Sequence, residues 1–599
     1  MEIARARPDH RVWLPAICLI GCVGVFVWAS DRGYDINDEA YYLVWAFDPY
    51  SYHISISQFG YLWHPIYRLV EGNIGLFRIV SASALLICAI TFASALNRFS
   101  DDHLAPRSEN LPIVLGLGAT IFWFFATWVA VPGYNELNLC ALLLFFSGLM
   151  FATPESRPNG KKSFSQTIYP ALLSGASVGV IALVKPPTCI AAIALGLGWL
   201  VLLRPPRALF FFCVSVISAV VVLSISIWMI DGSFAAFLRR LFVALEIYRL
   251  MGRPGDIHGI VNSILGPFSQ DRIWKIFPAI ALGAAIFGIC YGICAMATGQ
   301  MKRDKKLQRI ASYSLIVTLG IYVAVARQVD LQAILVWYNF HAWYFTFPIM
   351  AGALMLLLIL TESIEPVRWK RQLAAAALVG SAPIAYSFGT DVTLLRHMVG
   401  ASVFWAGSAM LICAMAPPDK RTELIGVTTF LCGAVTIGLL TGVVLAPLAS
   451  EAPLFQQTQP LTVGPDGARL FVDPATAGYI KSFQHMAGSA GFRAGMPIID
   501  LSEFGPGIVF ALSGSVPGLP WLGDHPDASM RAAVAVLKPI PQAQLRRAWI
   551  ITGSDQNYSQ VRIALRALGL NFPNDYRIVA ASRLDAVEWQ HSLWKPVMR

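Results

Sequence analysis

The chain alternates long apolar runs with short charged connections. Apolar stretches occupy 13–30, 76–96, 112–131, 137–152, 169–184, 189–203, 208–230, 276–298, 311–326, 340–361, 373–388, 398–416 and 424–446. A helix needs about 20 apolar residues to cross the hydrocarbon core. The pattern therefore predicts about thirteen transmembrane helices over 1–446, joined by long loops at 31–75 and 231–275. Beyond 446 the pattern changes. Pro and Gly punctuate 447–467, and Ala475–Ala490 has the period of an amphipathic helix. Short apolar runs at Met496–Leu501, Gly507–Leu512, Ala548–Thr552 and Tyr576–Ala580 predict strands, and Tyr558–Leu568 predicts a helix. The expected fold is an α-helical polytopic membrane protein followed by a soluble α/β domain over 447–599.

Composition agrees with this division. The 599 residues are 56% hydrophobic and only 13% charged, against roughly 25% charged in ordinary soluble proteins. A soluble multidomain enzyme, a disordered chain and a disulfide scaffold are excluded. Arg5, Arg7 and Arg11 precede the first apolar run as in a signal peptide. No small-residue cleavage site follows cleanly, so an uncleaved first span is expected. With the N-terminus inside, 20 of the 45 Lys and Arg fall in the short inner connections and 11 in the outer ones. Basic density is then about threefold higher inside, as the positive-inside rule requires, and an odd span count puts the tail outside. The net charge of +10 is mostly topogenic and calls for no nucleic acid. All ten cysteines lie in apolar runs, so the outer loops and tail offer no disulfide. Cys18 with Cys22 and Cys290 with Cys294, spaced i, i+4, read as helix packing rather than metal binding.

The outer loops hold the candidate chemistry. Just beyond the first span stands Tyr34-Asp35-Ile36-Asn37-Asp38-Glu39-Ala40-Tyr41-Tyr42, with three carboxylates in five residues. Clustered acids can act as a base, hold a cation or cap the helix that follows, with Asn37 or Asp38 at the N-cap; spacing alone leaves these open. The same loop continues through Tyr61-Leu62-Trp63-His64-Pro65-Ile66-Tyr67-Arg68. Its aromatics read as an interfacial helix, with Arg68 an anchor; His64 fits that reading less well. Lys185, before Pro186 and Pro187, is either a snorkelling side chain or an anion ligand aimed by the turn. Glu136 and Arg78 lie near the outer ends of two spans. The loop 231–275 carries six basic residues against the positive-inside bias. Arg253 and His258 fall in its Gly/Pro-rich turn, where an anionic lipid would find a basic patch.

Together these features resemble the GT-C class of membrane glycosyltransferases, in particular the dolichyl-phosphate-mannose protein mannosyltransferase and lipid A aminoarabinose transferase group. The resemblance rests on Asp38-Glu39-Ala40-Tyr41 in the first outer loop, Lys185-Pro186-Pro187 in mid-domain, and the span count with an outer tail. It implies a polyprenyl-phosphate sugar as donor and a lipid, glycan or protein acceptor. Transfer would proceed with inversion, at the outer face of a bacterial inner (plasma) membrane. Carried over by position, Asp38 is the general base and Glu39 orients it or helps hold a cation. Lys185, Arg253 and His64 would face the donor phosphate, with Arg68, His258 and Tyr41 beside them. The aminoarabinose transferases carry an acid and Lys before a Pro-Pro-Leu-Tyr turn, where this chain has Trp63-His64-Pro65-Ile66-Tyr67. That ligand is missing or replaced by His64, so the resemblance fixes no cofactor and leaves a divalent cation as an alternative. The competing expectations are a transporter or flippase of a lipid-linked glycan, which would need polar residues deep in several spans, and an assembly protein in which the acidic turn is only a helix cap.

Overall fold

The computed structural model describes residues 10–52, 54–100, 110–127, 129–153, 165–250, five residues between 351 and 358, 369–389, 397–447, 450, 452–502, 504–520, 522, 526–553, 558–584 and 589–597. The predicted spans over 276–298 and 311–326, and most of 340–361, lie outside the described residues, as do Arg253 and His258.

Among the described residues, seven helices are long and apolar enough to cross a membrane. They are α1 (His10–Ala29), α4 (Ile74–Ser100), α7 (Tyr134–Ala152), α8 (Ser165–Val184), α9 (Pro186–Leu203), α10 (Ala208–Asp231) and α15 (Pro418–Leu445). Each coincides with a predicted run. Helix α7 is the most buried of the seven and packs on α4 and α8, whereas α10 exposes most of its apolar surface. Three further runs are interrupted. The third is divided into α5 (Asn110–Thr120) and α6 (Trp123–Thr127). The eleventh breaks into α12 (Trp369–Gly380) and α13 (Ala382–Ser387), with Pro383 just after the break. The twelfth opens with a single 3₁₀ turn before α14 (Ser402–Cys413). Cys18 and Cys22 are buried, and a Cβ at Gly433 of α15 would lie 2.5 Å from that of Cys18. They are packing residues of the α1–α15 contact.

The long first loop folds into α2 (Asp38–Phe47) and α3 (Phe59–Leu69). The expectation that Tyr61, Trp63 and Tyr67 mark a helix lying on lipid is corrected for two of the three. Phe59, Trp63 and Tyr67 recur every four residues on one face and are buried, with the rings of Trp63 and Tyr67 6.0 and 5.5 Å from Phe77 of α4. The aromatics build the floor of the loop, while Arg68 and Leu69 are exposed.

The tail is a mixed α/β unit. A hairpin of β1 (Gln459–Val463) and β2 (Ala468–Val472) precedes α16 (Pro474–Ser489), whose N-cap Asp473 accepts a hydrogen bond from Thr476 N at 2.9 Å. A four-stranded sheet follows, ordered β3 (Ile498–Leu501), β4 (Trp549–Gly553), β6 (Trp589–Pro596), β5 (Tyr576–Leu584), parallel only between β3 and β4. The run 507–512 is not a strand. It forms α17 (Pro506–Ala511), buried on all sides and started by Pro506. A short, wholly apolar run carries no period by which helix and strand can be told apart.

The tail and the first loop share one core. Gly33 N donates to Phe471 O at 2.9 Å and Phe471 N to Asp31 O at 2.8 Å, so the chain leaving α1 runs beside β2. Tyr34, Ile36 and Tyr42 are buried with Leu470, Phe483 and Phe510 of the tail.

Candidate functional site

Two buried polar clusters flank this shared core. The first is the acidic turn. Asp38 and Glu39 occupy the first turn of α2, where carboxylates suit the helix dipole. The N-cap residue, Asn37, makes no side-chain bond to that helix. The three acids have separate roles instead. Asp35 Oδ1 accepts from Asn37 N at 3.0 Å, closing the turn. Glu39 is 3% exposed; its Oε2 accepts from Asp35 N at 3.0 Å and its Oε1 from Arg78 Nε at 2.9 Å. Arg78 reaches from α4, donates also from Nη2 to Glu39, and spends its remaining N–H groups on Ser30 O, Arg32 O and Gly33 O at 2.7 to 3.0 Å. The guanidinium is saturated, and the pair fastens the loop to α4. Asp38 is left half-buried at the head of α2. Burial, reinforced by the charge of Asp38, pushes the Asp35 carboxyl up to about 7.

The second cluster surrounds Lys185, the N-cap of α9. Its Nζ donates to Tyr386 O at 2.8 Å, lies 3.5 Å from His397 Nε2, and stands 5.2 and 6.0 Å from the rings of Tyr386 and Tyr134. Lys185 is 4% exposed and pairs with no carboxylate among the described residues. His397 Nε2 is also 3.0 Å from Asn135 Oδ1, and its ring stacks on Tyr386 at 5.1 Å. Asn138 Nδ2 lies 3.3 Å from Tyr386 O. Asn135 Nδ2 and Asn138 Oδ1 are buried without a partner. Two orphaned amide atoms thus stand in a buried polar cluster in which, among the described residues, Lys185 has no carboxylate partner.

The clusters are joined by aromatic rings. Tyr134 lies 5.8 Å from Tyr42, which sits one helical turn from Asp38. The fit is close because Gly133 has no side chain: a Cβ there would come within 2.9 Å of the Tyr42 ring. Tyr41 is half-buried, 5.5 Å from Tyr42. The loop also ties to α8 through Gln58 N, which donates to Leu183 O at 3.2 Å.

No family model matches the chain, and no curated protein matches it. Among solved structures the chain is similar to the crystal structure of ArnT from Cupriavidus metallidurans bound to undecaprenyl phosphate. The identity is 14% over 96% of this chain and 97% of that one, with a TM-score of 0.38. The apo structure of the same protein gives 14% identity over 98% and 93%, with a TM-score of 0.36. Likeness of this degree fixes no residue's role.

Asp38 and Tyr41 stand on α2 with Tyr42, and Lys185 lies on the far side of the Tyr42–Tyr134 contact, 6.0 Å from the Tyr134 ring, while other predicted residues stand apart. His64 Nδ1 is 2.8 Å from Ala46 O, at the far end of α2. Eight residues of helix separate Ala46 from Asp38, about 12 Å of rise. Arg68 is exposed near the end of α3. In the second long loop, α11 (Phe234–Leu250) carries Arg240, buried in a bidentate pair with Asp231 at 2.6 and 2.9 Å. That pair lines a cleft of about 380 Å³ with Tyr52, Gln58, Tyr61 and Arg239. Among the described residues no group of His, Cys, Asp or Glu is placed to hold a metal ion, and both oxygens of Glu39 are already engaged. Sequence reading missed His397, Asn135 and Asn138. The signal available was polar side chains at the outer ends of apolar runs, Tyr134-Asn135-Glu136-Leu137-Asn138 and Arg396-His397.

Proposed function

We propose that this protein is an inverting glycosyltransferase working at the outer face of a cell-envelope membrane, with its N-terminus cytoplasmic. It moves a sugar from a polyprenyl-phosphate donor to a lipid, glycan or protein acceptor. The observation that supports this reading is a half-buried carboxylate, Asp38, on one side of the Tyr42–Tyr134 ring contact and, on the other, a buried lysine, Lys185, that pairs with no carboxylate among the described residues. The acceptor hydroxyl attacks the anomeric carbon, Asp38 takes its proton, and the bond from that carbon to the phosphate oxygen breaks with inversion. Polyprenyl phosphate leaves with increased negative charge, and Lys185 with His397 is suited to receive it. Glu39, held by Arg78, orients the turn. Arg253 and His258 are retained as donor ligands from the second loop, and the cleft beside Arg239 suits a lipid-linked substrate arriving from the bilayer.

The test is purified protein in proteoliposomes with a panel of undecaprenyl-phosphate-linked hexoses and pentoses and a membrane-lipid acceptor fraction. Release of undecaprenyl phosphate should depend on acceptor, and Asp38→Asn should reduce it about 10²–10⁴-fold. Full turnover by Asp38→Asn at normal expression overturns the assignment. Movement of the lipid-linked sugar across the bilayer without its consumption establishes the flippase instead.

A further inference from the structure

The acidic turn is fastened from two sides, and the second fastening comes from the tail. Gly507, the second residue of α17, donates its N–H to Ile36 O at 2.7 Å, and its own carbonyl accepts from Tyr34 Oη at 2.9 Å. Both partners flank Asp35. A Cβ built on Gly507 would lie 2.5 Å from Cα and Cβ of Ile36 and 2.7 Å from its carbonyl oxygen, so only glycine admits this approach. The loop that delivers Gly507 is itself fixed. Asp500, at the end of β3, accepts from Ser502 N at 2.9 Å and Ser502 Oγ at 2.6 Å, and the amide of Gly505 also bonds its carboxylate. The end of a tail strand is thereby connected, through the bonds of Ser502 and Gly505 to Asp500, to the backbone that carries Asp35 and leads to Asp38.

We propose that Gly507 is a positioning residue of the transferase site, and that the tail holds the Asp35–Asp38 turn in its working geometry rather than serving as a tether or cover. The proposal rests on the function assigned to Asp38 above. From the tail the contact uses only the backbone of a glycine, so it gives register without the tail adding a side chain to the site. Misplacing a reacting group by about 1 Å from a distance can cost about 10²-fold in rate.

The test is Gly507→Ala in the full-length protein, beside Gly478→Ala, whose added methyl meets nothing within 4 Å. Hydrogen exchange of the amides over 34–41 should quicken at least about tenfold in Gly507→Ala, while those of β3 and β4 stay protected. In proteoliposomes kcat should fall at least about tenfold, with binding of undecaprenyl phosphate unchanged. Combining Gly507→Ala with Asp38→Asn should add no further loss. Gly478→Ala should match the parent in every measurement. Unchanged exchange over 34–41, or full kcat despite faster exchange while Asp38→Asn is inactive, overturns the proposal and leaves the transferase reading standing. Full turnover by Asp38→Asn overturns that reading, and exchange then still decides whether Gly507 holds the turn. Should Gly507→Ala unfold the tail, Tyr34→Phe, which removes only the bond to Gly507 O, is judged by the same two readouts.

Discussion

Arg78 and Lys185 are both buried basic residues at the edge of the membrane domain, and their surroundings differ in kind. Arg78 meets a carboxylate and three carbonyls and has no donor to spare. Lys185 meets one carbonyl, an imidazole and two aromatic rings, beside amide atoms that have no partner. A buried charge is tolerated when its bonds are complete, and an incomplete one is retained where a ligand completes it. Arg78 is therefore a staple, and Lys185 is the residue proposed as a receptor. The same contrast divides neighbouring acids: Glu39 is engaged by Arg78, and Asp38 stands half-buried at the helix head.

Removing each cation tests that division most directly. Arg78→Met strands the Glu39 carboxylate in the core and should cost about 3–5 kcal/mol of stability, read as loss of folded protein in detergent on heating. Lys185→Met removes a buried amine that pairs with no carboxylate among the described residues, so the melting temperature should hold or rise. Binding of undecaprenyl phosphate should weaken about 10–100-fold, since a hydrogen bond to a charged group is worth about 1.5–3 kcal/mol. A Lys185→Met protein that melts as early as Arg78→Met and still binds the phospholipid would make both residues staples.

A smaller effect follows from the acidic turn itself. The Asp35 carboxyl is raised from 3.8 to about 7 in the folded protein. A raised acid is protonated in the folded state where the unfolded chain is already ionised. Its stabilising contribution is complete below pH about 4 and is lost as pH climbs through 7. Asp500, raised to about 6 by burial, shifts in the same direction within the loop that holds the turn. The melting temperature of the parent should therefore fall between pH 5 and 8 more steeply than that of Asp35→Asn. Parallel curves would show that Asp35 titrates normally and that the turn is wet.

Much of the fold was legible from hydrophobic runs, because apolar length and basic flanks are local properties. The acidic turn and Lys185 were legible because their residue types are unusual where they stand. The stapling role of Arg78 was not, since nothing in 31–42 announces a guanidinium reaching in from the following span. Nor was His397, which meets Lys185 only after α13 and α14 have packed against α9 and α6. The helix at 506–511 was misread because burial on all sides erases periodicity, and it is the element that grips the turn.

His64 gives the finest test of the boundary between staple and receptor. Its residue type and its place in the first loop made it a candidate for the donor phosphate. In the fold its Nδ1 lies 2.8 Å from Ala46 O and its ring stands edge-on to Tyr50 at 5.5 Å. The first contact ties the end of α2 to α3 and the second ties in the 3₁₀ turn that follows α2, both away from Asp38. His64→Gln should keep kcat and undecaprenyl phosphate binding within about twofold and cost about 0.5–1.5 kcal/mol of stability, the worth of one hydrogen bond. If instead donor affinity falls tenfold or more at unchanged melting temperature, His64 faces the phosphate. The receptor would then extend along the whole length of α2 rather than ending at Tyr42.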